Sequence, residues 1–220
     1  MFSLSLLATL AATTSALSIP FTKNQALTPR STAPNPVSQL LTIASSSNTC
    51  TGASFPTECV VSSISIVQAM VDSFAAYNIT TAAEQAALLS WMAFESGDFK
   101  FNRNHFPAPG RPGQGTRVML MPNFVAEYAA SIPELKTGLA AAGSDVDKIL
   151  DLVLADKYSF ASAAWYYGTH CTEDQKEQVK NGGKTGWETA FVTGCVGTTV
   201  TDDRTEYWVR ARSALGVDAN

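Results

Sequence analysis

The stretch from Thr81 to Gly97 constrains this 220-residue chain more than any other. Thr81-Ala-Ala-Glu84 carries the residues of a capping box, in which the Thr and Glu side chains satisfy each other's free backbone donors at a helix start. From there to about Glu95 the sequence reads as a buried helix, and Gly97 breaks it. Leu88, Leu89, Trp91, Met92 and Phe94 are too many large apolar side chains for one narrow stripe, so the helix belongs inside the molecule. It ends on a carboxylate. Apolar neighbours disfavour a charge on Glu95 by desolvation, and the last helical turn presents the negative end of the backbone dipole. Both effects push a carboxyl upward, toward the protonated form that a general acid needs near neutral pH. The plainer alternative is a Glu whose side chain reaches solvent at a fraying helix end.

Upstream, residues 1–16 form an apolar run that closes on small residues, the pattern of a secretory signal peptide without the usual basic residue near its start. The run is too short and too rich in Ser and Thr for a membrane anchor, and no later stretch reaches spanning length. Residues 17–48 are rich in Ser, Thr, Pro and Asn and read as a lead-in or pro-segment, with a helical turn at Val37 to Ile43 that docks on the body. Residues 49–220 are then one compact domain.

A secreted chain with four cysteines points to disulfides. Three pairings are open, and proximity in sequence favours Cys50–Cys59 with Cys171–Cys195. A zinc site is weakly supported, because no Cys-x-x-Cys occurs and the only histidines are His105 and His170. No metal or cofactor is expected. Asn78-Ile-Thr80 is a glycosylation acceptor sequence. The net charge of −4, with 15% charged residues and no basic stripe, argues against nucleic acid as a partner. A monomer in the extracellular space, with a neutral or sugar-like ligand and no membrane partner, is the expectation.

Past this lead-in, Val60 to Tyr77 carries apolar residues at helical spacing, and after Gly97 the pattern changes. Lys100 to Gly115 holds three prolines and three glycines and should be a long ordered loop, a kind more often functional than idle. Thr116 to Met121 reads as a short strand, and Pro122 restarts a helix. Helices follow at Asn123 to Ser131, Pro133 to Ala142, Asp145 to Asp156 and Ser159 to Gly168. Thr172-Glu-Asp-Gln175 is a second capping box, Gly182–Gly183 breaks the run, and Thr201 to Leu215 forms a last helix. The expected class is mainly α with a small β element.

Three motifs in order carry a resemblance: Glu95-Ser96 at a buried helix end, Gly113-Gln-Gly-Thr-Arg-Val-Met-Leu-Met-Pro122, and Ala163-Ala-Trp-Tyr-Tyr-Gly168. Their order and spacing resemble the lysozyme superfamily, most closely its goose-type lysozyme and soluble lytic transglycosylase branch, and are similar to secreted fungal muramidases. The Gln of the second motif is absent, with Met119 or Leu120 in its place. The resemblance implies a lysozyme-like α+β fold with the Pro/Gly-rich loop at its active site, and a glycoside hydrolase acting on the polysaccharide peptidoglycan. Glu95 is then the general acid, and Asp98 a base or water positioner, since an inverting glycosidase holds its two carboxyls roughly 6.5–9.5 Å apart. Tyr166, Gln114, Asn102 and Arg117 are the expected substrate-side residues. A lytic transglycosylase, a chitin- or chitosan-cleaving enzyme and a non-catalytic secreted glycan-binding or effector protein are the alternatives.

Three consecutive aromatics, Trp165, Tyr166 and Tyr167, cannot share one helix face, so at least one is expected to leave the core. The acids Asp145, Asp202 and Asp203 sit at helix starts, where the dipole alone accounts for them. His105 either lines the cleft or packs against the loop prolines, the second being the expectation.

Overall fold

The computed structural model describes residues 35–217, and the expectations for residues 1–16 and 17–34 lie outside the described residues. Thr81 caps the central helix α3 (Ala82–Glu95) as the sequence requires, its hydroxyl accepting from the Glu84 amide while the Glu84 carboxylate accepts from the Thr81 amide. A cap of this kind stabilises a helix start by about 1 kcal/mol. Every residue from Ala86 to Ala93 is buried. Such a helix needs neighbours on all sides, and the remaining elements supply them.

Asn35 caps α1 (Pro36–Ile43), which seats Leu40 and Ile43 in the same core as α3. α1 packs against α2 (Ile64–Ala76), α3 and the last helix, α11 (Asp202–Leu215). α2 starts four residues later than the periodicity suggests. The Val60 amide is drawn out of the helical register to the Phe99 carbonyl, at 3.0 Å. Disulfides join Cys50 to Cys59 and Cys171 to Cys195.

The second half is helical, as expected, in shorter pieces. α4 (Pro122–Ala130) opens on its proline, a 3₁₀ turn at Pro133–Leu135 leads into α5 (Lys136–Ala142), and α6 (Val146–Asp151) is capped by Asp145. The single helix expected to Asp156 ends early because Leu152 and Val153 tighten to i→i−3 bonds with Ile149 and Leu150. A four-residue α7 (Asp156–Ser159) precedes α8 (Ser162–His170), and Thr172 with Gln175 forms the capping box of α9 (Glu173–Asn181). The run breaks at Gly182–Gly183 as expected, with Gly183 at φ +52°, after which α10 (Gly183–Thr185) runs into a π-helix at Gly186–Cys195. A β-carbon on Gly186 would lie 1.9 Å from the Gln178 carbonyl oxygen, so only glycine lets α9 and the π-helix approach this closely.

The class is mainly α. The strand expected at Thr116 to Met121 is not formed: the segment is a series of turns, and two isolated antiparallel bridges, Arg103 with Gly115 and Gly115 with Leu120, are the β structure among the described residues. No described helix is long and apolar enough to cross a membrane. Trp165, Tyr166 and Tyr167 are all buried, against the expectation that one would leave the core. The reason is that α8 is enclosed: Trp165 meets Tyr128, Tyr167 reaches Glu84 and Phe191, and Tyr166 turns to Trp91 and Phe124.

Candidate functional site

A cleft of about 260 Å³ opens beside the C-terminal end of α3. Its lining brings together three residues expected from sequence, Glu95, Gln114 and Tyr166. Each is fixed by its own element. Glu95 is the last residue of α3, Gln114 is held in the loop by a 3.0 Å bond from its amide to the Met119 carbonyl, and Tyr166 lies on α8 with its ring edge-on to Trp91 and Phe124. Burial pushes the Tyr166 hydroxyl above its usual value, and it donates to the Cys195 carbonyl at 3.4 Å. Trp91, Val118, Met119, Leu120, Met121, Phe124, Val196 and Thr198 complete the lining, and much of the surface left open in the cleft is polar.

Sequence reasoning placed Glu95 among apolar neighbours alone. The structure pairs it with Arg204, whose Nη1 lies 2.7 Å from the carboxylate Oε1, both side chains being partly exposed to the cleft. Arg204 is held in turn over the Phe94 ring, at 4.3 Å. Arg204 was not singled out from sequence, yet a signal existed: it follows the N-cap Thr201 by three residues, in a first helical turn where the dipole disfavours a cation. An arginine there calls for a partner elsewhere. The mouth of the cleft is therefore zwitterionic, offering a carboxylate acceptor and a guanidinium donor within one hydrogen-bond length of each other.

Asp98, Asn102 and Arg117 lie outside the cleft lining. Asp98 is buried in a left-handed conformation (φ +57°), with its carboxylate accepting from the Ser46 amide (2.8 Å), the Ser46 hydroxyl (2.7 Å) and the Tyr207 hydroxyl (2.8 Å). Gly97 and Phe99 are also at positive φ, and two such non-glycine residues in a row are costly unless anchored. The anchors are the Asp98 carboxylate and the Phe99 ring, which packs edge-on against Phe160. Arg117 is fully buried and donates to the carbonyls of Phe99, Phe101 and Glu58, all at 3.0 Å. Burial pushes Arg117 down to about 10, with Asp156 and Glu58 opposing, so it remains a cation at neutral pH. The Asn102 amide donates to Glu58.

Glu58, a second residue that sequence reasoning missed, organises the long loop. One carboxylate oxygen accepts from the Asn102 and Arg103 amides and the other lies 2.8 Å from His105 Nε2. His105 stacks on Phe55 at 3.5 Å between ring centroids, so it packs on an aromatic ring where prolines were expected. The second histidine, His170, is wedged against Phe124, Trp165 and Tyr166 and lies 3.4 Å from Glu127. All four cysteines are in disulfides, and no group of three or more His, Cys, Asp or Glu among the described residues is placed to hold a metal ion. Asn78 is exposed just beyond α2, in a left-handed turn.

No protein-family model matches the chain, and no solved structure matches it. Over 155 residues it is 43% identical to a protein of Fusarium oxysporum (strain Fo5176) described as a bifunctional dioxygenase (DOX)-epoxy alcohol synthase (EAS). The alignment covers 67% of this chain and spans 12% of the length of that relative. This finding corrects the expected membership of the lysozyme superfamily, and with it the expected glycoside hydrolase, muramidase and cell-wall-degrading activity on peptidoglycan. The three motifs that carried the resemblance have local causes: a helix end, a turn-rich loop and an enclosed aromatic helix. Such features recur wherever helices pack round a buried helix, and they do not fix a chemistry.

Proposed function

We propose that this chain is a ligand-binding module whose cleft holds an oxygenated, otherwise apolar molecule of the epoxy alcohol kind. The observation that carries the reading is the Glu95–Arg204 pair in a cleft that also presents Met119, Met121, Phe124 and Val196. A hydroxyl presented there donates to Glu95 while an ether or epoxide oxygen accepts from Arg204, and the carbon skeleton lies on the adaptable methionine and aromatic surface. With their N–H and O–H directed to the Met119 and Cys195 carbonyls, the Gln114 amide oxygen and the Tyr166 hydroxyl oxygen are left as acceptors. The relative's description supports the ligand class, since an epoxy alcohol carries one donor and two acceptor oxygens on a carbon skeleton.

Oxygen insertion itself needs a redox-active metal or an organic cofactor. The donor set here does not fit a redox metal: His105 is committed to Glu58 and Phe55, His170 is packed among aromatics, and every cysteine is oxidised to a disulfide. In this reading the module binds and presents its ligand. Its two disulfides suit an oxidising compartment, and we place it outside the cell, with exposed Asn78 as the glycan acceptor.

Intrinsic tryptophan fluorescence tests this reading, because Trp91 lines the cleft. A straight-chain epoxy alcohol should give saturable quenching, and the parent alkene a response at least tenfold weaker. Glu95→Gln combined with Arg204→Leu should weaken epoxy alcohol binding by roughly 10- to 100-fold, the value of one or two hydrogen bonds to charged groups. Equal binding of alkene and epoxy alcohol, or no response to either, would overturn it.

A further inference from the structure

A second concavity, of about 380 Å³, lies between α1, α2, α3 and the end of α11. Eleven of its thirteen lining residues are apolar, among them Leu40, Val67, Met70, Val71, Phe74 and Leu89, and none carries a charge. It is separate from the Glu95 cleft. Gln85 and Leu89 face it from α3, whereas Trp91 and Glu95 face the cleft, and at 3.6 residues per turn the two pairs point roughly 120° apart. The two polar lining residues are already engaged: Gln39 donates its amide to the Ala214 carbonyl at 2.7 Å and Gln85 to the Ile79 carbonyl at 3.3 Å. At the rim, α2 leaves Val71 51% exposed.

We infer that this groove is a binding site for an unbranched, uncharged alkyl chain. Its volume is within the range of roughly 300–1,000 Å³ typical of small-molecule sites. A polypeptide strand laid in it would bring backbone N–H and C=O groups that the lining has almost nothing to pair with, and each one left bare is costly. An alkyl chain needs no hydrogen bonds and is stabilised by each methylene it buries. The floor is prebuilt: Leu40, Ile43, Met70, Phe74 and Ile79 are core residues held in place by the packing of three helices. The site therefore requires little reordering to be filled.

The uncharged fluorescent probe N-phenyl-1-naphthylamine, added to the full chain, reads the site directly. Its emission should rise on binding and be reversed by 1-dodecanol. Val71→Asp sets a charge at the rim and Ala75→Phe fills the space from an exposed position, so each should fold and lower probe affinity at least tenfold. Glu95→Gln should leave probe binding unchanged, which separates this groove from the cleft. No rise in emission, or a rise of equal affinity in Val71→Asp, would overturn the assignment. So would a wild-type dimer that Val71→Asp converts to monomer, since the face would then be covered by a second copy.

Discussion

Glu95 and Asp98 are carboxylates three residues apart, and both answer to one face of α11, yet they end in opposite circumstances. Arg204 and Tyr207 are also three residues apart, neighbours on that helix, and Arg204 meets Glu95 while Tyr207 meets Asp98. Glu95 stays on the regular helix and opens on the cleft. Asp98 lies beyond the left-handed Gly97 and is turned inward, where two hydroxyls and a backbone amide satisfy it. The reversed backbone that begins at Gly97 separates a carboxylate that opens on the cleft from one that holds the loop to the body. Sequence spacing alone would have made them a catalytic pair.

The sharpest way to break this comparison is Asp98→Ala. It leaves the Tyr207 hydroxyl and the Ser46 amide without their partner and removes an anchor from the left-handed turn, so unfolding free energy should fall by about 3 kcal/mol or more in urea titration. A loss below about 1 kcal/mol would mean that the turn is held by Phe99 and Arg117 alone.

Tyr207→Phe should cost less, about 1 kcal/mol near neutral pH, and it carries a pH signature. Burial, reinforced by the hydrogen bond to Asp98 and the nearby carboxylate, pushes the Tyr207 hydroxyl up to about 12. Its folded value lies above the ordinary tyrosine value of about 10, so the contribution to stability is whole below pH ~10 and is lost as pH rises through about 12. Stability of the wild-type protein should fall more steeply than that of Tyr207→Phe across that window. Parallel slopes would show that Tyr207 titrates as it does in the unfolded chain.

Glu95→Gln should have the smallest effect on stability, under about 1 kcal/mol, because the glutamine Oε1 still accepts from Arg204. A loss as large as that of Asp98→Ala would erase the distinction between the two carboxylates and make the Glu95 pair a structural tie.

Much of the scaffold was legible in the chain. The capping boxes at Thr81–Glu84 and Thr172–Gln175, the proline that opens α4 and the apolar faces of α2 and α3 all depend on contacts within four residues, where residue type and spacing are sufficient information. Glu95, Gln114 and Tyr166 were legible as residues of interest for the same reason: a carboxylate at a buried helix end, a polar residue in a Gly-rich loop and a tyrosine in an aromatic helix each stand out locally. What joined them was not legible. The Glu95–Arg204 and Asp98–Tyr207 pairs each span 109 residues, and the Glu58 carboxylate reaches the Asn102 amide across 44. Nothing in local spacing says which of two nearby carboxylates receives an arginine and which a tyrosine. Sequence by itself determined the central helix, its cap and its burial, because hydrogen bonding and apolar periodicity act along the chain. Tertiary structure decided which carboxylate faces a cleft, because that depends on the direction of the backbone after Gly97 and on where a distant helix comes to rest against it.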